Sequence, residues 1–228
     1  MKATLNVLSV LTGGLGVALS PLASADFLSD SKANLSMRNF YFNNDNRDGS
    51  AAPSKTEEWG QAFILNYQSG FTDGTVGFGL DAVGMLGITL DSGAGRHVGS
   101  SMIPNEDGKA TDNWARGGAT AKARFAKSEL RYGYLRPNLP ILVSNDGRLL
   151  PQSFDGGQIT SKDLDNLTLI GGQLQHTTGR GSSDRSGLAA AGGGGVGAAD
   201  GGAVVVVFVG VDEEGGVAAA FDAEEGAA

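Results

Sequence analysis

Residues 75–91 read TVGFGLDAVGMLGITLD, with no Pro and only Asp81 and Asp91 charged. Every second residue from Val76 gives Val76, Phe78, Leu80, Ala82, Gly84, Leu86, Ile88 and Leu90. The complementary set, Thr75, Gly77, Gly79, Asp81, Val83, Met85, Gly87 and Thr89, is small and mixed. A period of two held for about sixteen residues predicts a β-strand roughly three times the usual soluble length. A tilted strand crossing a bilayer needs about 9–11 residues plus its extensions. A strand with one apolar face and one small, mixed face suits a wall between lipid and water.

The neighbouring segments repeat the rhythm. NLSMRNFYF (34–42) sets Leu35 and Met37 against Asn34, Ser36 and Arg38, and EWGQAFILNYQ (58–68) puts Trp59, Phe63, Leu65 and Tyr67 on one parity. SGFTDGT (69–75) is a tight turn, whereas 43–55 is a long polar loop. ATAKARFA (119–126) turns Ala121, Ala123 and Phe125 outward and Lys122 and Arg124 inward. After a turn at Lys127-Ser128, ELRYGYL (129–135) turns Leu130, Tyr132 and Tyr134 outward and Glu129, Arg131 and Gly133 inward. Asp91 to Gly118 and Pro137 to Gly157 read as long loops, and LDNLTLIGGQLQH (164–176) as a further strand. Short turns on one side and long loops on the other are the asymmetry of outer-membrane barrels. The fold class expected is all-β, an antiparallel transmembrane β-barrel whose charged parity faces a water-filled lumen.

Composition sets the remaining bounds. Gly is abundant, at 37 of 228 residues, and Cys is absent, which excludes disulfides and thiolate metal sites. The net charge of −8 resides mostly after Leu188, where seven carboxylates meet no Lys or Arg, so the acidic balance says nothing about partners. Residues 1–25 combine Met1-Lys2, an apolar stretch and Ala23-Ser24-Ala25, the pattern of a secretory signal peptide. Residues 26–187 form the strand-bearing body. Residues 188–228 use almost only Gly, Ala, Val, Asp and Glu, whose codons all begin with G. That tail reads either as a genuine low-complexity acidic segment or as the product of a frame slip near Gly187.

His97 and His176 fall in expected loops with no second ligand in sequence, so no metal site, cofactor or catalytic group is expected. The chain shows no nucleophilic triad, phosphate loop or basic, aromatic-interleaved patch, so neither an enzyme nor a nucleic-acid partner is expected. Two function classes stand beside each other. One is a passive diffusion channel; the other is a secreted, soluble β-rich module that binds carbohydrate or another ligand. The soluble module would have to cover the apolar band of Trp59, Phe63, Leu65, Phe78, Leu80 and Leu86 with a second sheet.

LSMRNFYFNND, EEWGQAFILNYQSGFTDGTVGFGLDAVGMLGITLDSG, DNWARGGATAKARFAKSELRYGYLRPNLPIL and NDGRLLPQSF resemble OprD-type outer-membrane porins from about residue 26 to 187. The resemblance implies an antiparallel barrel of about 18 strands, of which this chain holds the N-terminal ones, an incomplete barrel. It also implies a narrow pore for small carboxylate-bearing solutes (amino acids, related nutrients, some antibiotics), guided by an interior ladder of Arg and Lys. Outer-membrane lipid and the outer-membrane assembly machinery would be partners. By alternation alone Arg38, Lys122, Arg124 and Arg131 face the lumen. By resemblance Asn145, Asp146 and Arg148 belong to the constriction loop, Arg148 also lining the pore. Arg116 is a weaker candidate, and Arg136 has no counterpart in the family pattern and stays outside the site. A lumen Arg can also serve merely to brace the wall, and Glu129 is available as its partner. Too few strands to close the barrel and a tail without an aromatic-ended final strand imply a truncated, inactive form.

Overall fold

A computed structural model describes residues 27–45, 54–93, 95–97, 100–139, 142–165, 167–191, 195–198 and 204–209. The expected signal peptide and the end of the tail lie outside the described residues. Seven long strands make the wall: β1 (Lys32–Asp45), β2 (Lys55–Gln68), β3 (Val76–Asp91), β6 (Asn113–Phe125), β7 (Ser128–Leu135), β10 (Ser153–Leu164) and β11 (Leu167–Thr178). Two small hairpins, β4 (Asn105–Glu106) with β5 (Lys109–Ala110) and β8 (Asn138–Leu139) with β9 (Leu142–Val143), sit inside the long loops. β12 (Arg185–Ala191), β13 (Gly195–Ala198) and β14 (Val204–Val209) complete the set.

The sheet runs β1-β2-β3-β6-β7-β10-β11-β12-β13, all neighbours antiparallel, and β14 pairs with β11 beside β12. It is a half-barrel. The short connections after β2, β6 and β10 leave the strands at one rim; the longer ones after β1, β3 and β7 leave them at the other. The compositional boundary after Gly187 is not a boundary of the sheet, because β12 crosses it without a break.

Register places the faces as the alternation requires. Leu65 stands opposite Leu35 and Gly84, Phe78 opposite Ala123, and Leu80 opposite Ala121. Leu35, Leu65, Phe78, Leu80, Phe125, Leu130 and Tyr132 are all exposed on this outer face. A one-residue slip would reverse every one of them, so the alternation of apolar and polar faces specifies the register. Arg38, Lys122, Arg124 and Arg131 occupy the opposite face, Lys122 directly across from Arg131.

The inner face carries its own core. Met102 and Ile103 of loop 92–112, and Leu149 and Leu150 of loop 136–152, pack on Ala62, Ile64, Met85 and Trp114 of the wall. Fully burying a Leu side chain contributes about 1.5–3 kcal/mol, so Leu149 and Leu150 anchor the second loop inside the barrel.

Four expectations are corrected. Tyr134 does not face outward: it is buried with Ile64, Met85 and Trp114. Its neighbour Gly133 has φ +129°, a conformation closed to L-residues, and this inverts the alternation for one step. The stretch 113–118 is strand rather than loop, because β6 pairs with β3 as far as Asn113–Ile88. β10 likewise begins at Ser153, four residues before the expected end of its loop. His176 lies in β11, not in a loop.

Candidate pore lining and constriction

The inner wall and the folded-in loop share their charges unevenly. Arg38 of β1 forks onto Asp146, with Nη1 to Oδ1 at 2.5 Å and Nη2 to Oδ2 at 2.8 Å. Its Nη1 also reaches the Arg148 carbonyl at 3.4 Å. The planar guanidinium matches both carboxylate oxygens, so this pair fixes the loop's direction as well as its distance. Asn145 caps the same bend: its Oδ1 accepts from Gly147 N and from Arg180 Nη1, each at 3.1 Å.

Lys122 is the most enclosed of the ladder candidates, its side chain 5% exposed. The ammonium lies 2.6 Å from Asp81 Oδ1, donates to the Ser69 carbonyl at 2.8 Å and sits 4.7 Å from the centre of the Phe71 ring. Space for it exists because residue 79 has no side chain: a Cβ there would meet Lys122 Cε at 2.5 Å. Arg124 covers the same ring at 4.6 Å. Arg131 pairs with Glu129 through Nε at 2.5 Å, the bracing arrangement, yet 41% of its side chain stays exposed to the lumen.

Arg148 reaches the Ser100 carbonyl through Nε and the Gly147 carbonyl through Nη1, both at 2.8 Å, with its guanidinium 4.9 Å over Phe42. Among the described residues, no carboxylate pairs with Arg124 or Arg148. Arg116 is committed to the backbone: it donates to the carbonyls of Pro151, Gly179 and Ser182 and so ties two loops to the wall.

Between wall and loop lies a cavity of about 520 Å³, lined among others by Asn66, Asp81, Thr120, Arg131, Arg136 and Asp146. Arg136, which sequence reasoning set aside, enters it and donates to Asn66 Oδ1. Burial lowers its pKa, as it does that of Arg180, where the nearby charge of Arg148 adds to the effect. A second cavity of about 380 Å³ near the rim is lined by Ser101, Asn145, Gln152, Arg180 and Ser182. Arg136 and Arg180 could not be read from alternation, since both lie in loops, just after β7 and β11. No metal-holding group of His, Cys, Asp and Glu occurs among the described residues.

The sequence matches a known family over most of the chain. Residues 25–212 match the family described as "outer membrane porin, OprD family". The chain belongs to the OprD family of outer-membrane porins. The porin-like protein GalP of Pseudomonas putida is 43% identical over 173 residues, 75% of this chain and 42% of GalP. Among solved structures, OccK9 (OpdG) of Pseudomonas aeruginosa superposes with a TM-score of 0.71 at 44% identity, covering 78% of this chain and 46% of that one. OpdK of Pseudomonas aeruginosa, solved with vanillate, gives a TM-score of 0.64 at 42% identity, over 72% and 40% of the two chains. The chain spans about two fifths of the length of the curated relatives it matches. OprD-family proteins are outer-membrane channels rather than enzymes, and this settles the choice against a secreted soluble module.

Proposed function

We propose that this chain forms part of a basic-lined pore for passive, selective diffusion of small carboxylate-bearing solutes, among them amino acids, related nutrients and some antibiotics. The observation that carries the reading is the division of the lumen cations. Arg38, Lys122 and Arg131 have carboxylate partners and shape the wall; Arg124 and Arg148 have none among the described residues and are held by aromatic faces and backbone carbonyls instead. Cations held this way have no carboxylate to offset them, and a low-dielectric wall would focus their field through the pore. Several weak sites in sequence attract a carboxylate and still release it. Vanillate, present with OpdK, carries a carboxylate and fits this class.

In this reading Asn145, Asp146 and Arg148 form the constriction, Asp146 locking the loop to Arg38 while Arg148 meets the solute. Residues 1–25 direct export, the outer-membrane assembly machinery receives the strands, and residues 188–228 form a low-complexity acidic tail whose described strands continue the sheet. Conduction needs a closed barrel, since lipid tolerates no open sheet edge. The 228-residue chain alone is therefore inactive in this reading.

The test joins residues 26–187 to the C-terminal remainder of an OprD-family barrel and measures uptake into liposomes. Arg124→Ala should lower the uptake of a small carboxylate relative to a neutral solute of equal size by about two- to fivefold, the worth of one charge a few ångströms away in a water-like medium. Arg131→Ala should do less, because Glu129 already offsets it. Equal losses for both solutes would show that these arginines only brace the wall.

A further inference from the structure

On the inner face of β2, Glu58 is completely buried. A carboxylate removed from water is costly unless it is fully hydrogen-bonded. Both of its oxygens are engaged, and both partners come from loop 92–112. His97 Nδ1 meets Oε1, and the Ser100 hydroxyl donates to Oε2. Ser100 Oγ in turn accepts the Met102 amide at 2.9 Å. Met102 is itself fully buried against the wall, in the cluster that also holds Leu149 and Leu150. The next link leaves this loop: the Ser100 carbonyl accepts Arg148 Nε at 2.8 Å. Glu58, Ser100 and Arg148 therefore form one continuous chain from the wall, through one loop, to the guanidinium of another.

We infer that Glu58 is a positioning residue for the constriction: by fixing Ser100 it fixes the acceptor that aims Arg148 across the lumen. Three features support this. Arg148 has no carboxylate of its own among the described residues; besides its neighbour's carbonyl at Gly147, its guanidinium meets the Ser100 carbonyl and the Phe42 ring, and Ser100 is the acceptor that comes from another loop. The loop that carries Ser100 is tied to the same strand a second time, through the Glu57 amide donating to the Arg96 carbonyl at 3.1 Å and the Arg96–Glu57 ion pair at 2.6 Å. A buried charge with two donors resists displacement more than an apolar contact would, because releasing either donor strands a carboxylate away from water. The functional consequence rests on Arg148 meeting the solute, but the coupling itself is independent of transport.

The natural chain has no cysteine, so cysteines placed at Gly147 and Asn43, both exposed, can carry two spin labels without competition. A Cβ at residue 147 meets nothing closer than 3.4 Å. In the full chain in detergent micelles, the distance distribution between the labels should be narrow. Glu58→Ala should broaden it at least twofold, and Ser100→Ala, which keeps the carbonyl but loses the hydroxyl, should broaden it less. Glu58→Gln, which can still accept from Ser100 and donate to His97, should restore the narrow distribution. Amide exchange across β2, β3 and β6 should remain unchanged in all of them, which separates loop release from collapse of the wall. An equally narrow distribution in Glu58→Ala would overturn the inference. So would a distribution already broad in the parent chain, or broadening accompanied by loss of wall protection. Because no solute is involved, failure here is distinct from failure of the carboxylate reading.

Discussion

Lys122 shows how a side chain can satisfy a ladder pattern and yet serve the wall. Its ammonium and the Asp81 carboxylate are 5% and 13% exposed, so each is the other's main compensation. Breaking such a pair strands a charge, whereas replacing both members by apolar groups can be nearly neutral. Lys122→Met should therefore cost about 3 kcal/mol in urea unfolding from micelles, and adding Asp81→Leu should recover most of that loss. A double variant no more stable than the single one would mean that Asp81 is reached by water. Ala126 poses the opposite problem. It holds φ +49° in the two-residue turn between β6 and β7, where an L-residue with a Cβ is strained by about 1–2 kcal/mol. Ala126→Gly should raise stability by about 0.5–1 kcal/mol in the same assay, the relief being partly offset by glycine's larger chain entropy.

At the scale of the strand, the period of two was enough to assign faces to β1, β2, β3 and β6. Leu35, Leu65, Phe78 and Phe125 emerged on the lipid side, with Arg38 and Arg124 opposite them. It failed at Tyr134 because alternation assumes extended backbone at every residue, and Gly133 departs from it. Loop lengths were overestimated for a related reason. Trp114 and Gly117-Gly118 break the apolar rhythm, yet the β3 ladder continues past them and Trp114 turns inward to the core. The residues expected at the constriction came from resemblance alone, and the contacts that hold their loop could not be read at all: nothing in the sequence pairs Arg38 with Asp146, or Glu58 with His97 and Ser100. Those contacts join residues separated by 108, 39 and 42 positions. Gly133 makes the point testable. A Cβ there would lie 2.3 Å from the Ala119 carbonyl oxygen, and φ +129° is closed to alanine. Gly133→Ala should force β7 back into regular alternation and expel Tyr134 from its site beside Ile64 and Met85. Losing a buried aromatic costs about 3–5 kcal/mol, and Tyr134 should become accessible to iodination. A Tyr134 that stays protected in Gly133→Ala would show that packing, not the glycine, turns it inward.

For the molecule as a whole, the decisive groups are not side chains but the unpaired backbone at the sheet's edges. β1 bonds to β2 along all fourteen of its residues and, among the described residues, has no partner on its other edge. Toward lipid each unpaired N–H or C=O costs several kcal/mol, and an edge of this length presents several of them. The outer face offers no escape into water, since Leu35, Met37 and Tyr41 flank that edge and are apolar or aromatic. In lipid that edge calls for a strand beyond the described residues, from elsewhere in the chain, from a second copy or through aggregation. Reconstituted alone in planar bilayers, the 228-residue chain should give no stable unitary current. A cysteine placed on the outer edge at Met37 should cross-link between copies as the protein concentration rises. Appending the remaining strands of an OprD-family barrel should abolish that cross-link and bring steady current steps together. Stable, solute-selective steps from the chain alone, without an intermolecular cross-link, would mean that β1 finds its partner within these residues.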